Sequence, residues 1–207
     1  AILFLFLLSV EGTGLAQENS TLEQRLAHLV EKLEEKRIEY HIPGMAIAVV
    51  LDDKIVLEHS FGVSDMEKEL AVNDDTLFAI GSVSKSFTSA AIGVLVDEGK
   101  MDFNAPITKY LPWFALPIDG EGGEEVLVRD LLSHQTGFTR MHFIAMNNSL
   151  SPENALRATV LSEPWKDFRS AFLYNNMQFV AAGFAAGVVA GSDWNTLVEE
   201  CLFAPIG

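Results

Sequence analysis

Phe78-Ala79-Ile80-Gly81-Ser82-Val83-Ser84-Lys85-Ser86-Phe87-Thr88 is the stretch on which the reading of this chain turns. It sets a serine three residues ahead of a lysine, at the head of an apolar run that ends at Glu98-Gly99. This pattern predicts a helix over 82–98 stopped by Gly99, with Phe87, Ala90, Ala91, Val94 and Leu95 on a buried face. Residues three apart on a helix are neighbours, so Ser82 and Lys85 would stand side by side as nucleophile and proton acceptor. The helix start also leaves backbone N–H groups unpaired, which favours negative charge developing beside the serine. Ser-x-x-Lys alone is a weak signal, because two common residues at fixed spacing recur by chance.

Two further segments strengthen it. Tyr174-Asn175-Asn176 supplies Tyr-x-Asn 174 − 82 = 92 residues downstream, and neither Tyr40 nor Tyr110 has an asparagine two positions later. Leu131-Leu132-Ser133-His134-Gln135-Thr136-Gly137-Phe138 lies between the two. In this order the three blocks resemble the class C β-lactamases and their relatives, the D-alanyl-D-alanine carboxypeptidases, esterases and animal β-lactamase-like proteins. The resemblance runs from about His41 to Gly207. The chain is also similar to the gigasin-type group of oyster shell matrix proteins. Membership would make Ser82 the acylated nucleophile, Lys85 its partner and Tyr174 the second proton-transfer group. Asn176 would orient Lys85 and the substrate amide. A serine hydroxyl needs such an adjacent base, and a coupled lysine–tyrosine pair can share the proton. Which of Lys85 and Tyr174 takes it is open from sequence.

The family pattern ends with a third motif, Lys-Thr-Gly or His-x-Gly, on a late strand beside the nucleophile. No such segment occurs between Asn176 and Gly207. The expectation is therefore an α+β, penicillin-binding-protein-like fold, a helical lobe plus antiparallel sheet, truncated before its C-terminal strands. Residues 17–207 would be the N-terminal part of one such domain. That late strand would also carry the second oxyanion-hole donor, and losing one such donor costs about 3–4 kcal/mol of transition-state stabilisation. At the other end, the apolar run Ala1–Val10 and the small residues Gly14 and Ala16 read as a partial signal peptide over 1–16. Secretion would expose the sequons at Asn19 and Asn147 to glycosylation.

Composition narrows the function classes. With 29 acidic against 14 basic residues, the formal charge of −15 argues against a nucleic-acid partner. The ten-residue, mainly apolar run at 1–10, followed by acidic sequence, is too short for stable membrane insertion. The single Cys201 rules out a disulfide within the chain. The five histidines show no His-Glu-x-x-His spacing, so no metal site is expected, and the resemblance implies no cofactor. Gly81-Ser82-Val83-Ser84-Lys85 also departs from the Gly-x-Ser-x-Gly elbow of α/β-hydrolases. His134 reads as a structural or supporting residue, since the lysine-based set already holds a base.

Other elements follow from periodicity and turn residues. Leu22 to Tyr40 reads as an amphipathic helix capped by Ser20 or Thr21, with Glu23 close behind. Met45–Leu51 and Lys54–His59 form a hairpin about Asp52-Asp53, and Phe61-Gly62 opens a loop through Asp75. Ala105 to Trp113 reads as a turn and short helix, Leu116–Glu125 as an exposed loop, and Arg129–Ser133 as a short helix. Ser151-Pro152-Glu153 starts another helix, and Met177–Val189 forms a tightly packed central one closed by Gly191-Ser192. The expected function is a secreted serine hydrolase, acting through an acyl-enzyme on an amide, peptide or ester, with a small-molecule, peptide or ester substrate as its partner. The alternative is a non-catalytic acidic matrix protein whose partners are calcium mineral or extracellular matrix polymers.

Overall fold

The computed structural model describes residues 20–118, 125–141, 144 and 149–206. The signal segment 1–16, the sequon residues Asn19 and Asn147, and most of the loop expected at 116–125 lie outside the described residues. The chain divides into two compact units, Ala1–Gly81 and Ser82–Gly207.

The first unit is a helix and a small antiparallel sheet. Helix α1 (Leu22–Glu39) opens on a reciprocal capping box. Thr21 Oγ1 accepts from the Gln24 N–H, and the Gln24 side chain accepts from the Thr21 N–H. Gln24, rather than the expected Glu23, therefore completes the cap, because only the third helical position can reach back to the cap residue. Past the helix, Arg37 pairs with Glu34 and donates to the Ile42 carbonyl at 2.9 Å, which fixes the turn into the sheet. Strands β1 (Gly44–Leu51) and β2 (Lys54–Asp65) pair from Gly44↔Gly62 to Leu51↔Lys54. Asp52 and Asp53 both take positive φ, 50° and 59°, as a tight hairpin turn of primed type requires.

Here the second strand outruns its expected end at His59. It continues to Asp65 and pairs with a short third strand, β3 (Leu70–Ala71). Gly62 makes that continuation possible. It bends the chain at φ +65°, where a side chain would strike the Pro43 carbonyl, while Val63 N–H still donates to Pro43 O at 2.8 Å.

The second unit is helical. A 3-10 turn (Gly81–Val83) leads into α2 (Ser84–Asp97), so the α-helix begins two residues later than its expected start at Ser82. No side chain caps it at Val83, and the tighter turn instead forms the entry. Its buried stripe is Thr88, Ala91, Ile92 and Leu95, whereas Ala90, expected inside, is exposed. The helix expected within 105–113 reduces to one 3-10 turn at Ile107–Lys109. Helices α3 (Val128–Leu132), α4 (Pro152–Val160), α5 (Asn176–Ala190) and α6 (Trp194–Val198) follow. Ser151 caps α4 with Pro152 in its first turn, as its sequence signature predicts.

α5 is the centre of this unit: α2, α3, α4 and α6 all pack on it. Its small residues permit the close approach, with Ala181, Ala182, Ala185 and Ala186 wholly buried beside Ile92, Leu131 and Leu156. At Gly183 a Cβ would lie 2.8 Å from the Trp194 ring, so α6 could not dock there over any larger residue. Trp194 Nε1 in turn donates to Thr88 Oγ1 at 3.0 Å, tying α6 to α2. Gly191, in the left-handed region at φ +72°, ends α5 at its expected place.

Candidate active site

Ser82 leaves the 3-10 turn exposed, and Lys85 lies in the first turn of α2. Three residues apart and one turn on from each other, serine and lysine face the same side of this entry. Lys85 Nζ donates to Ser82 Oγ at 3.2 Å. Across the unit, Tyr174 Oη lies 2.5 Å from the same Ser82 oxygen. Lys85 Nζ also donates to Asn176 Oδ1 at 2.8 Å and lies 4.7 Å from the Tyr174 ring centroid. All four residues singled out from sequence, Ser82, Lys85, Tyr174 and Asn176, thus meet in one hydrogen-bonded set.

Tyr174 and Asn176 are held in place through the residue between them. Asn175 is fully buried and caps α5, its Oδ1 accepting from the Met177 N–H at 2.7 Å. Its amide nitrogen donates to the Thr139 carbonyl, and its backbone N–H donates to His134 Nδ1 at 3.2 Å. A cap, a loop tie and a ring contact converge on one side chain, which fixes Tyr174 on one side and Asn176 on the other.

The His134 segment forms the wall behind the site. Since Nδ1 accepts from Asn175, the ring proton sits on Nε2. Burial pushes the His134 pKa down and the charge of Lys85 adds to this, outweighing the opposing Gln178 side chain, so the imidazole is neutral. Its ring lies 4.6 Å from that of Tyr174 and 5.1 Å from that of Phe179. This is the supporting role expected from sequence. Gly137, three residues on, sits at φ +83° where a Cβ would collide with the Lys166 carbonyl, so only glycine fits the turn. Its own carbonyl accepts from the Trp165 N–H at 2.9 Å. Deeper in, the carboxylate of Asp130, at 2% exposure, takes two bonds from Arg169, at 3.0 and 2.8 Å. Asp130 also accepts from the Leu127 N–H that opens α3. This forked pair anchors the loop leading to Tyr174 to the helix leading to His134.

The electrostatics suit proton transfer. Burial pushes the Tyr174 phenol up, but hydrogen bonds from Lys85 and Ser82 and the charges of Lys85 and Arg140 outweigh it. The net effect holds the phenol below its ordinary value. A phenolate or a free lysine amine within reach of Ser82 Oγ can take its proton as the oxygen attacks a carbonyl. The sequence reading missed three contributors: Asn175, weighed only as a turn residue, the Asp130–Arg169 pair, and Arg140, whose guanidinium lies over the Tyr174 ring. Asn175 was legible as a helix cap, since asparagine directly before an apolar helix is a start signal. The long-range pair carried no local signal at all.

Comparison with known proteins gives the family and the fold. The chain is 28% identical over 195 residues to the unguisins hydrolase ungD′ of Aspergillus campestris, covering 90% of this chain and 35% of that protein. It is 29% identical over 184 residues to penicillin-binding protein 4 of Amycolatopsis lactamdurans, covering 87% of this chain and 47% of that one. Among solved structures it is similar in fold to the hydrolase EstCE1, with a TM-score of 0.80 at 22% identity, covering 89% of this chain and 52% of that one. The D-amino acid amidase of Ochrobactrum anthropi aligns with a TM-score of 0.74 at 22% identity, over 87% of this chain and 50% of that one. The chain therefore spans between about a third and about half the length of these relatives. Residues 22–207 match the Beta-lactamase family, and the chain belongs to it.

Proposed function

We propose that this chain carries the acylation centre of a serine hydrolase that acts on amide, peptide or ester bonds. The observation that carries this reading is the double engagement of Ser82 Oγ, by Tyr174 Oη at 2.5 Å and by Lys85 Nζ at 3.2 Å. As Ser82 Oγ bonds to the substrate carbonyl carbon, its proton passes to the coupled Tyr174–Lys85 pair. The pair returns it to the leaving amine or alcohol, and water then releases the acyl group from Ser82. Asn176 holds Lys85 toward the serine and offers its amide nitrogen to the substrate.

The names of the relatives support hydrolysis, and the last an amide substrate: one is a hydrolase of unguisins, one a penicillin-binding protein and one a D-amino acid amidase. A peptidase or esterase fits better than an antibiotic-destroying enzyme, on the ground of the acidic 116–125 segment and the sequons. The apolar run at 1–10, the sequons at Asn19 and Asn147 and the net charge of −15 support secretion and an animal-branch placement. The complete hydrogen-bond set weighs for catalysis over the acidic matrix role, because packing alone does not require all four polar side chains to meet. Incubating the full-length protein with a panel of p-nitrophenyl esters and amino-acid amides tests the proposal. Burst release of product that saturates in proportion to enzyme is expected. Failure to release product from any ester or amide, alongside Ser82-independent retention on calcium carbonate, would favour the matrix reading.

A further inference from the structure

Arg140 follows the His134–Gly137 turn and is exposed, yet its guanidinium carbon lies 5.4 Å from the Tyr174 ring centroid. Lys85 Nζ lies 4.7 Å from the same centroid. The phenol beside Ser82 thus faces two cations. No carboxylate pairs with Arg140 among the described residues, although the chain holds 29 acidic residues against 14 basic ones. No Asp or Glu occurs in the sequence from Leu131 through Pro152 around it. An arginine stacked on a phenol, with no carboxylate paired to it among the described residues, is available to act on that phenol's charge.

We propose that Arg140 is a positioning residue for proton transfer, its charge over the Tyr174 ring favouring the phenolate that receives the Ser82 proton. The role deepens the acyl-transfer reading and rests on it. A cation over an aromatic face is attracted by the neutral ring and attracted more strongly by the ionised one. The groups facing Tyr174 are Lys85 from α2, Arg140 from the loop after α3, the neutral His134 ring and the Ser82 hydroxyl. Of these, Lys85, Arg140 and the Ser82 hydrogen bond favour ionisation, and Arg140 does so by charge alone, without bonding to Ser82. In the step itself the Ser82 O–H bond breaks as Oγ bonds to carbon. The proton moves to the Tyr174 oxygen, and from there to the leaving group as its bond to carbon breaks.

Phenolate absorbance, followed against pH, reads this directly and needs no turnover. The chain has three tyrosines, Tyr40, Tyr110 and Tyr174, and a Tyr174→Phe variant identifies the component that belongs to the site. In Arg140→Gln that component should move to higher pH, and in Arg140→Lys it should return toward the parent value. The rising limb of the pH profile for Ser82 acylation should shift the same way. At neutral pH acylation should slow about two- to fivefold, the worth of an exposed cation–π contact. A Tyr174 titration unchanged in folded Arg140→Gln, with Ser82 still labelled, would overturn the role of Arg140 alone. A shifted titration with no Ser82 labelling in the parent protein would support the charge effect and overturn the hydrolase reading instead.

Discussion

In the helical unit, Ala91, Ile92, Leu131, Leu156 and Ala181 are completely shielded from water and belong to one continuous core. In the helix-and-sheet unit, Phe61 and Val72 are the buried hydrophobic side chains among the described residues, and α1 buries none. There Val50, Ile55 and Leu70 stay more than half exposed on their strands. The two units reach order by different routes. The sheet unit leans on local devices: a capping box, i,i+3 ion pairs and a primed turn. The helical unit leans on packing, and every member of the Ser82–Lys85–Tyr174–Asn176 set lies within it. A reactive geometry accurate to a few tenths of an ångström needs supports of that second kind.

That contrast can be broken or sharpened by substitution. Leu131→Ala or Leu156→Ala should destabilise the protein by about 2–5 kcal/mol, whereas Ile55→Ala should stay within about 0.5 kcal/mol. Denaturant unfolding monitored for both units measures this, and equal losses would erase the distinction. Next in size, Asn175→Ala removes a cap and a buried tie and should cost about 1–3 kcal/mol. It should also slow Ser82 acylation by more than its stability loss explains, because Asn176 and Tyr174 both lose their anchor. Thr21→Ala should cost about 1 kcal/mol, felt as faster hydrogen exchange in α1 with α5 unchanged.

A pH test isolates the helical unit further. The folded pKa of His134 is pushed below its ordinary value of 6.5, first by burial and then by Lys85. The unfolded chain therefore binds this proton at higher pH than the folded one does. The contribution is fully present above about 6.5 and is lost as pH falls through the lowered folded value. Replacing His134 with Gln should flatten this part of the stability profile, whatever it does to stability at neutral pH.

Much of this organisation was legible in the sequence. α1, the hairpin turn at Asp52-Asp53, the Ser151-Pro152 start and the Gly191 stop all follow from local chemistry, where each residue acts on its immediate neighbours. Ser82 and Lys85 stood out by their spacing, Tyr174 and Asn176 through the family resemblance of their motif, and the four meet as expected. The errors have a common cause. The 3-10 entry before α2, the shift of its buried stripe from Ala90 to Thr88 and Ile92, and the extension of β2 past His59 are set by what each segment packs or pairs with. Asp130–Arg169 and Arg140–Tyr174 join positions far apart in the chain, and nothing local announces either partner. Distant tertiary partners leave no periodicity to read.

The most direct test of the account is covalent. The full-length protein is treated with an acylating fluorophosphonate or β-lactam probe, and intact mass and peptide mapping follow the adduct. A single adduct on Ser82, lost in Ser82→Ala and strongly slowed in Lys85→Ala and Tyr174→Phe, is the predicted result. Labelling undiminished in Ser82→Ala, or an adduct mapped to another residue, would contradict the claim that Ser82 is the nucleophile.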